Sequence, residues 1–298
     1  MNSKQTNVTN LKSKVDSKSI GIAFGAGGAR GLAHLLMIEA LDELGVKPTI
    51  ISGSSIGAVV GAFYAAGFSG KEMRKILDQL INPKSDSVFD FLLKSDIVKM
   101  FTMFDPQFIR SGFIKGEKFQ NYMKNHLKVS RFEELKIPLK IVTTDYWKKE
   151  AVIFEKGDLI QPIKASYSLP GLFTPVKIKD RILIDGGAVN PLPFDLIMDK
   201  CDITIAIDVT AFKAQNESEI PPTFDSVFTT YQTMQNSIIK ERLKFLRPDI
   251  YIRPEIYDVR VFDFVKADLI FKQAQSAKDE LKKQLQKLLD NQSILKAD

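Results

Sequence analysis

The 298-residue chain has a single cysteine, Cys201, a single tryptophan, Trp147, and two histidines, His34 and His126. One cysteine excludes an internal disulfide framework and suits a reducing compartment. Between a helix-like run and a strand, Cys201 reads as a small packing residue. No apolar run approaches the ~20 residues needed to span a bilayer. Met1–Lys18 is polar and lacks the apolar stretch of a secretory signal, so residues 1–18 are expected to form a disordered tail. Zinc patterns, a phosphate-binding P-loop and RNA-binding signatures are missing. Nor is the charge extreme: 42 Lys and Arg against 36 Asp and Glu leave +6. That fits weak attraction to anionic surfaces and demands no nucleic-acid partner. The expectation is a cytoplasmic protein, peripheral at the membrane if it meets one.

The shortage of histidine excludes the most. A Ser-His-Asp triad needs a histidine on a loop late in the chain. His34 lies one turn into an early helix, where it packs or hydrogen-bonds. His126 stands among lysines in a polar stretch. Neither suits the role of base.

What is present is Gly53-Ser54-Ser55-Ile56-Gly57. It follows an apolar strand candidate ending at Ser52 and opens an Ala/Gly-rich helix candidate over 58–66. G-x-S-x-G between strand and helix reads as a nucleophile elbow. The turn is tight enough to need Gly53 and Gly57. Ser55 then stands at a helix N-terminus, where developing negative charge is favoured. A free serine is a weak nucleophile, so a base and an oxyanion site are also required.

Around this motif the pattern is α/β. A buried strand over 19–24 runs into the turn Gly25–Gly31, then a helix over 32–44 stopping at Gly45. With the elbow strand and helix this makes a βαβα opening, which argues for a parallel sheet covered by helices. A further helix is expected over 71–81. Residues 85–127, rich in Phe, Met and Lys, break the rhythm and read as a cap or lid with a helix at 116–127. These apolar residues would line an acyl channel or fill core. Strands are then expected at 138–144, 151–155, 181–184, 203–209 and 250–253, and helices at 159–166, 194–199, 224–246 and 266–289. The last is amphipathic, and its Lys-rich face reads as a solvated surface rather than a lipid contact. Residues 213–222 read as a connection and 224–298 as a C-terminal helical elaboration of one catalytic domain, 19–298. No internal repeat is found.

The glycine loop Gly25-Ala26-Gly27-Gly28-Ala29-Arg30-Gly31 does not fit a dinucleotide fingerprint, because Arg30 occupies the third glycine place. The alternative is a loop whose N–H groups, from Gly25, Ala26, Gly27 and Gly28, hold an oxyanion. Arg30 would either attract a phosphate head group or brace backbone carbonyls. For the base, a carboxylate is left. Asp185 leaves a strand with Gly186 and Gly187 directly after it, so backbone can crowd its carboxyl. Partial burial would raise its pKa toward a useful range. An Asp-Gly turn pair explains the same residues equally well.

Three motifs in this order, Gly-x-Gly-Gly-x-Arg-Gly, Gly-x-Ser-x-Gly and Asp-Gly-Gly, resemble those of the patatin-like phospholipases, in particular the bacterial members. The resemblance covers about residues 19–209. It includes Ala165-Ser166-Tyr167-Ser168-Leu169-Pro170-Gly171 and the run Asp185–Pro193. It implies a three-layer α/β/α fold and a lipolytic serine esterase without metal or cofactor. Ser55 would be the nucleophile, Asp185 the base, and Gly27, Gly28 and their neighbours the oxyanion hole. Gly53, Gly57, Gly31, Gly186 and Gly187 would be supports. The implied substrate is a phospholipid or another acyl lipid. Ala26 departs from the family's usual glycine there. Two other classes compete: a thioesterase or acyltransferase on acyl-CoA, which would call for a histidine partner, and a non-catalytic lipid-binding module.

Overall fold

A computed structural model describes residues 18–81, 117–210 and 223–291. Strand β1 (Ile20–Phe24) is buried along its whole length. Its large residues, Ile20, Ile22 and Phe24, join the main core cluster on one face. Its small residues serve the other face. Ala23 packs with Leu192, Phe194 and Ile239, and a methyl on Gly21 would meet Cys201 Sγ at 2.6 Å. A strand covered on both sides is the signature of a parallel sheet between two layers.

Eight strands of the described residues form one sheet in the order β5-β6-β3-β2-β1-β7-β8, with β4 on the far side of β3. The others are β2 (Ile50–Ser54), β3 (Leu139–Asp145), β4 (Glu150–Phe154), β5 (Val176–Ile178), β6 (Arg181–Asp185), β7 (Ile203–Ile207) and β8 (Ile250–Ile252). From β3 to β8 the pairing is parallel. The β3–β4, β3–β6 and β5–β6 pairs are antiparallel.

Helix α1 (Ala33–Leu44) ends at Gly45 in the left-handed region, φ 69°, where a residue without Cβ is unstrained. Helix α2 (Ile56–Ala66) follows the elbow, and α3 (Gly70–Ile81) packs on α1. Helices α4 (Glu117–Leu127) and α5 (Ile160–Ser166) complete that side with Met123, Leu127, Ile160 and Ile163. The opposite face is closed by 3₁₀ turns around Phe194 and by α6 (Thr223–Phe245) through Ile239. The expected three-layer α/β/α architecture is therefore present. None of the helices of the described residues is long and apolar enough to cross a membrane.

Of the anticipated cap over 85–127, only α4 is described, and its Met123 and Leu127 belong to the core. The rest of the cap, the connection at 213–222 and nearly all of the 1–18 tail lie outside the described residues. The C-terminal part is more than an elaboration. It supplies β8, the α6 face and α7 (Ala267–Asn291), whose Ile270, Ala274, Leu281 and Leu285 are fully buried in the main core cluster. Part of its Lys-rich face is also committed: Lys278 Nζ contacts Glu39 and Glu43 of α1 at 3.1 and 2.7 Å, and Lys282 contacts Glu43 at 2.9 Å.

Candidate active site

Strand β3 is the ruler of the site. Its first half pairs in parallel with β2, whose last residue Ser54 lies opposite Val142. Its second half pairs with antiparallel β6, whose last residue Asp185 lies opposite Thr143. Strand β4 occupies the other edge of β3 over Ile141–Asp145. So β2 and β6 must share one edge, end to end and pointing at each other. Ser55 follows β2 directly, and Asp185 ends β6. Two residues 130 apart in sequence are thus brought together by strand register, and Ser55 Oγ donates to Asp185 Oδ2 at 2.5 Å.

The elbow explains its own sequence. Ser55 has φ 55°, ψ −124°, a strained region for a residue with a side chain, of the kind found at nucleophile turns. A methyl on Gly57 would lie 2.1 Å from the Phe24 carbonyl oxygen, and one on Gly53 2.5 Å from the Gly57 oxygen. Helix α2 opens directly after Ser55, so its positive dipole end lies at the hydroxyl. The Ser55 N–H donates to Ser166 Oγ at 2.9 Å, and Ser166 Oγ in turn donates to the Val142 carbonyl at 2.6 Å.

Asp185 is 2% exposed. Burial pushes its carboxyl up from 3.8 to about 6, against the opposing hydrogen bonds from Ser55, Gly187 and Tyr231. The Gly187 N–H donates to Oδ1 at 2.6 Å. Tyr231 O–H, on α6, donates to the same oxygen at 3.4 Å. Burial and then the Asp185 charge push the Tyr231 phenol well up, so it stays protonated as a donor. With Oδ1 occupied, Oδ2 faces Ser55. The Asp185 backbone is pinned too, by N–H to Ser168 O at 3.0 Å and by Thr144 Oγ1 donating to its carbonyl at 2.8 Å. Gly186 is needed because a methyl there would sit 2.2 Å from the Val142 oxygen.

The glycine loop lies against both partners. A methyl on Gly187 would reach Ala26 Cβ at 3.1 Å, and one on Gly31 would strike Ile56. Two of its four candidate donors are engaged elsewhere. The Gly25 N–H binds Ile207 O at 3.0 Å, and the Ala26 N–H binds Pro191 O at 2.8 Å. Among the described residues, the N–H groups of Gly27 and Gly28 have no acceptor. Gly28 has φ 59°, where glycine is the residue without strain.

Arg30 is fully buried and braces the loop. Its guanidinium donates to the carbonyls of Val209, Val259 and Thr210 at 3.2–3.4 Å, and burial lowers its pKa to about 10 despite Asp208. A head-group role is excluded by that enclosure. His34 is also fully buried. Burial drops its pKa to about 4, so the ring is neutral and Nε2 donates to the Gly25 carbonyl at 2.9 Å. His126 Nδ1 donates to its own helix at Tyr122 O.

Sequence reasoning singled out Ser55, Asp185 and the loop but not Ser166, Ser168 or Tyr231. The first two sit in Ala165–Gly171, whose Ser-x-Ser spacing was a usable signal. Tyr231 had none, being one aromatic on a long polar helix.

Residues 22–198 match the family described as patatin-like phospholipase. An uncharacterized NTE family protein of Mycobacterium tuberculosis is 33% identical over 207 residues, which are 69% of this chain and 53% of that one. The lysophospholipase NTE1 of Coccidioides immitis is 26% identical over 88% of this chain and 17% of its own length. Human patatin-like phospholipase domain-containing protein 6 is 28% identical over 75% of this chain and 15% of its own. The chain thus spans about half the length of the mycobacterial relative and less of the others. Among solved structures it is similar to VipD from Legionella pneumophila, with TM-score 0.48 and 15% identity over 88% of this chain and 67% of that one.

Proposed function

From the premise that the chain belongs to the patatin-like phospholipase family, we propose that it is a serine acyl hydrolase that releases fatty acid from lipid esters through a Ser55–Asp185 dyad. One observation carries this reading: the 2.5 Å contact between an elbow serine and a buried carboxylate whose pKa is raised to about 6. Such a carboxylate is ionised at neutral pH, yet far more basic than an exposed aspartate.

In the reaction, Asp185 Oδ2 takes the Ser55 proton as Oγ bonds to the ester carbonyl carbon. The carbonyl π electrons move to its oxygen, which the Gly27 and Gly28 N–H groups and the α2 terminus stabilise. Collapse breaks the carbon–oxygen bond of the alcohol, and protonated Asp185 returns the proton to that leaving oxygen. A water then gives its proton to Asp185 and attacks the acyl-serine. Fatty acid leaves, and Ser55 recovers its proton from Asp185. Tyr231 and the Gly187 N–H hold Oδ1, so the basic oxygen keeps its aim.

Both histidines donate to backbone carbonyls, which disfavours the histidine-dependent acyltransferase chemistry. The test is a fluorophosphonate probe alongside lysophospholipid turnover. Wild type should label and turn over, and Ser55→Ala should do neither, with turnover down at least ~10³-fold. Labelling that survives in Ser55→Ala, or its absence from wild type, would overturn the assignment.

A further inference from the structure

The β3–β4 turn carries Tyr146, Trp147, Lys148 and Lys149. All are exposed, Trp147 by 75%. Trp147 is the chain's only tryptophan, and placing it at a hairpin tip leaves a large apolar ring in water. The tip is built to hold it there. The buried Asp145 carboxylate accepts from the Trp147 and Lys148 N–H groups at 3.1 and 3.0 Å, and Lys149 N–H closes the turn onto Asp145 O at 2.8 Å. Tyr146 and Trp147 pack edge to face at 4.9 Å.

A second tip adjoins it. Strand β6 runs antiparallel to β3, so the β5–β6 turn falls at the same sheet end, and Tyr146 N–H is bonded to Ile182 O at 2.9 Å. That hairpin adds exposed Lys177, in β5, and Lys179, in the turn. Lys149 and Lys179 both have positive φ, 58° and 53°, at positions where Gly or Asn sits with least strain. Charge is retained at a backbone cost. Arg181 takes up Asp145 and Glu150. The four lysines form no ion pair among the described residues, and Asp180 is the acid left beside them.

The Ser55–Asp185 pair also lies toward this end of the sheet, past the C-terminal end of β2. Thr143, opposite Asp185, is three residues before Tyr146, roughly 10 Å along the strand. An amphipathic aromatic at the interface with lysines beside it is the pattern that recognises a lipid surface carrying negative head groups. We propose that the paired β3–β4 and β5–β6 tips are the surface by which this protein settles on an anionic bilayer, with Trp147 entering the interface and the lysines meeting head-group phosphates. Docking this way turns the Ser55 end of the sheet toward the lipid. Binding itself does not depend on the hydrolase reading.

The lone tryptophan makes the test direct. Phosphatidylglycerol vesicles should shift its emission to the blue and allow quenching by bromine-labelled acyl chains, while phosphatidylcholine vesicles should do so far less. Lys148→Glu/Lys149→Glu should weaken binding by at least ~25-fold, about fivefold for each lysine removed. Co-sedimentation should lose Trp147→Ala in the same way. Unfolding melts check that these surface variants stay folded. Ser55→Ala must still bind, which separates docking from chemistry. Unchanged emission with phosphatidylglycerol, equal binding to both lipids, or full binding by the double lysine variant would overturn the proposal.

Discussion

Replacing Asp185 with asparagine should stop the reaction and yet stabilise the fold at neutral pH. The folded pKa is raised, from 3.8 to about 6, and burial is the largest cause. The native state therefore holds this proton more tightly than the unfolded chain. The associated stability is fully present below pH 3.8 and is lost as pH rises through about 6. At 1.36 kcal/mol for each tenfold change in proton affinity, ionising the buried carboxyl costs about 3 kcal/mol above pH 7. Asparagine is a neutral near-isostere that keeps an acceptor for the Gly187 N–H. Allowing for a poorer fit to Ser55 and Tyr231, Asp185→Asn should gain about 1–3 kcal/mol at pH 8. The gap should nearly close at pH 4, where the wild-type group is also neutral. Urea unfolding of both proteins at pH 4, 6 and 8 reads this out. The same group should appear in kinetics, with wild-type kcat/KM on a monomeric ester falling tenfold per pH unit below about 6. An Asp185→Asn protein less stable than wild type at pH 8, or a gap that ignores pH, would refute the link between desolvation and basicity.

Tyr231→Phe removes a donor that lowers the Asp185 pKa, so the acid limb of the pH–rate profile should move to higher pH. Its kcat should fall ~10-fold with little change in KM, whereas a merely structural role would leave the limb in place. Gly57→Ala would drive a methyl against the Phe24 carbonyl at 2.1 Å and should cost roughly 3 kcal/mol in urea unfolding. By contrast, Gly45→Ala meets no atom within 4 Å and pays only for φ 69°, about 1 kcal/mol.

Much of this arrangement is legible in the sequence, for identifiable reasons. The strand–turn–helix around Ser55 is written in consecutive residues, and its glycines mark places where main chain touches main chain. The apolar periodicity of α7 follows from burial of one broad face, whereas the near-continuous apolar run of α1 follows from burial on all sides over Ala33–Leu41. The union of Ser55 with Asp185 is not legible from pattern alone. It depends on β2 and β6 sharing an edge of β3, and no local signal states strand order. The same blindness hides the loss of Gly25 and Ala26 as oxyanion donors, since Ile207 and Pro191 reach them only once the sheet is assembled. Tyr231 is concealed for a further reason. Its partner lies 46 residues away, and a tyrosine on a polar helix looks like any surface aromatic.

A strand that serves two others laid tip to tip has a bearing on how such proteins can diversify. The spacing of the reacting pair is fixed by hydrogen-bond register on β3 and owes nothing to the length of chain joining β2 to β3. Segments can therefore be lengthened, trimmed or swapped in that interval while the alcohol and the acid keep their separation. Substrate choice can drift by remodelling inserts, and the chemistry rides along unaltered.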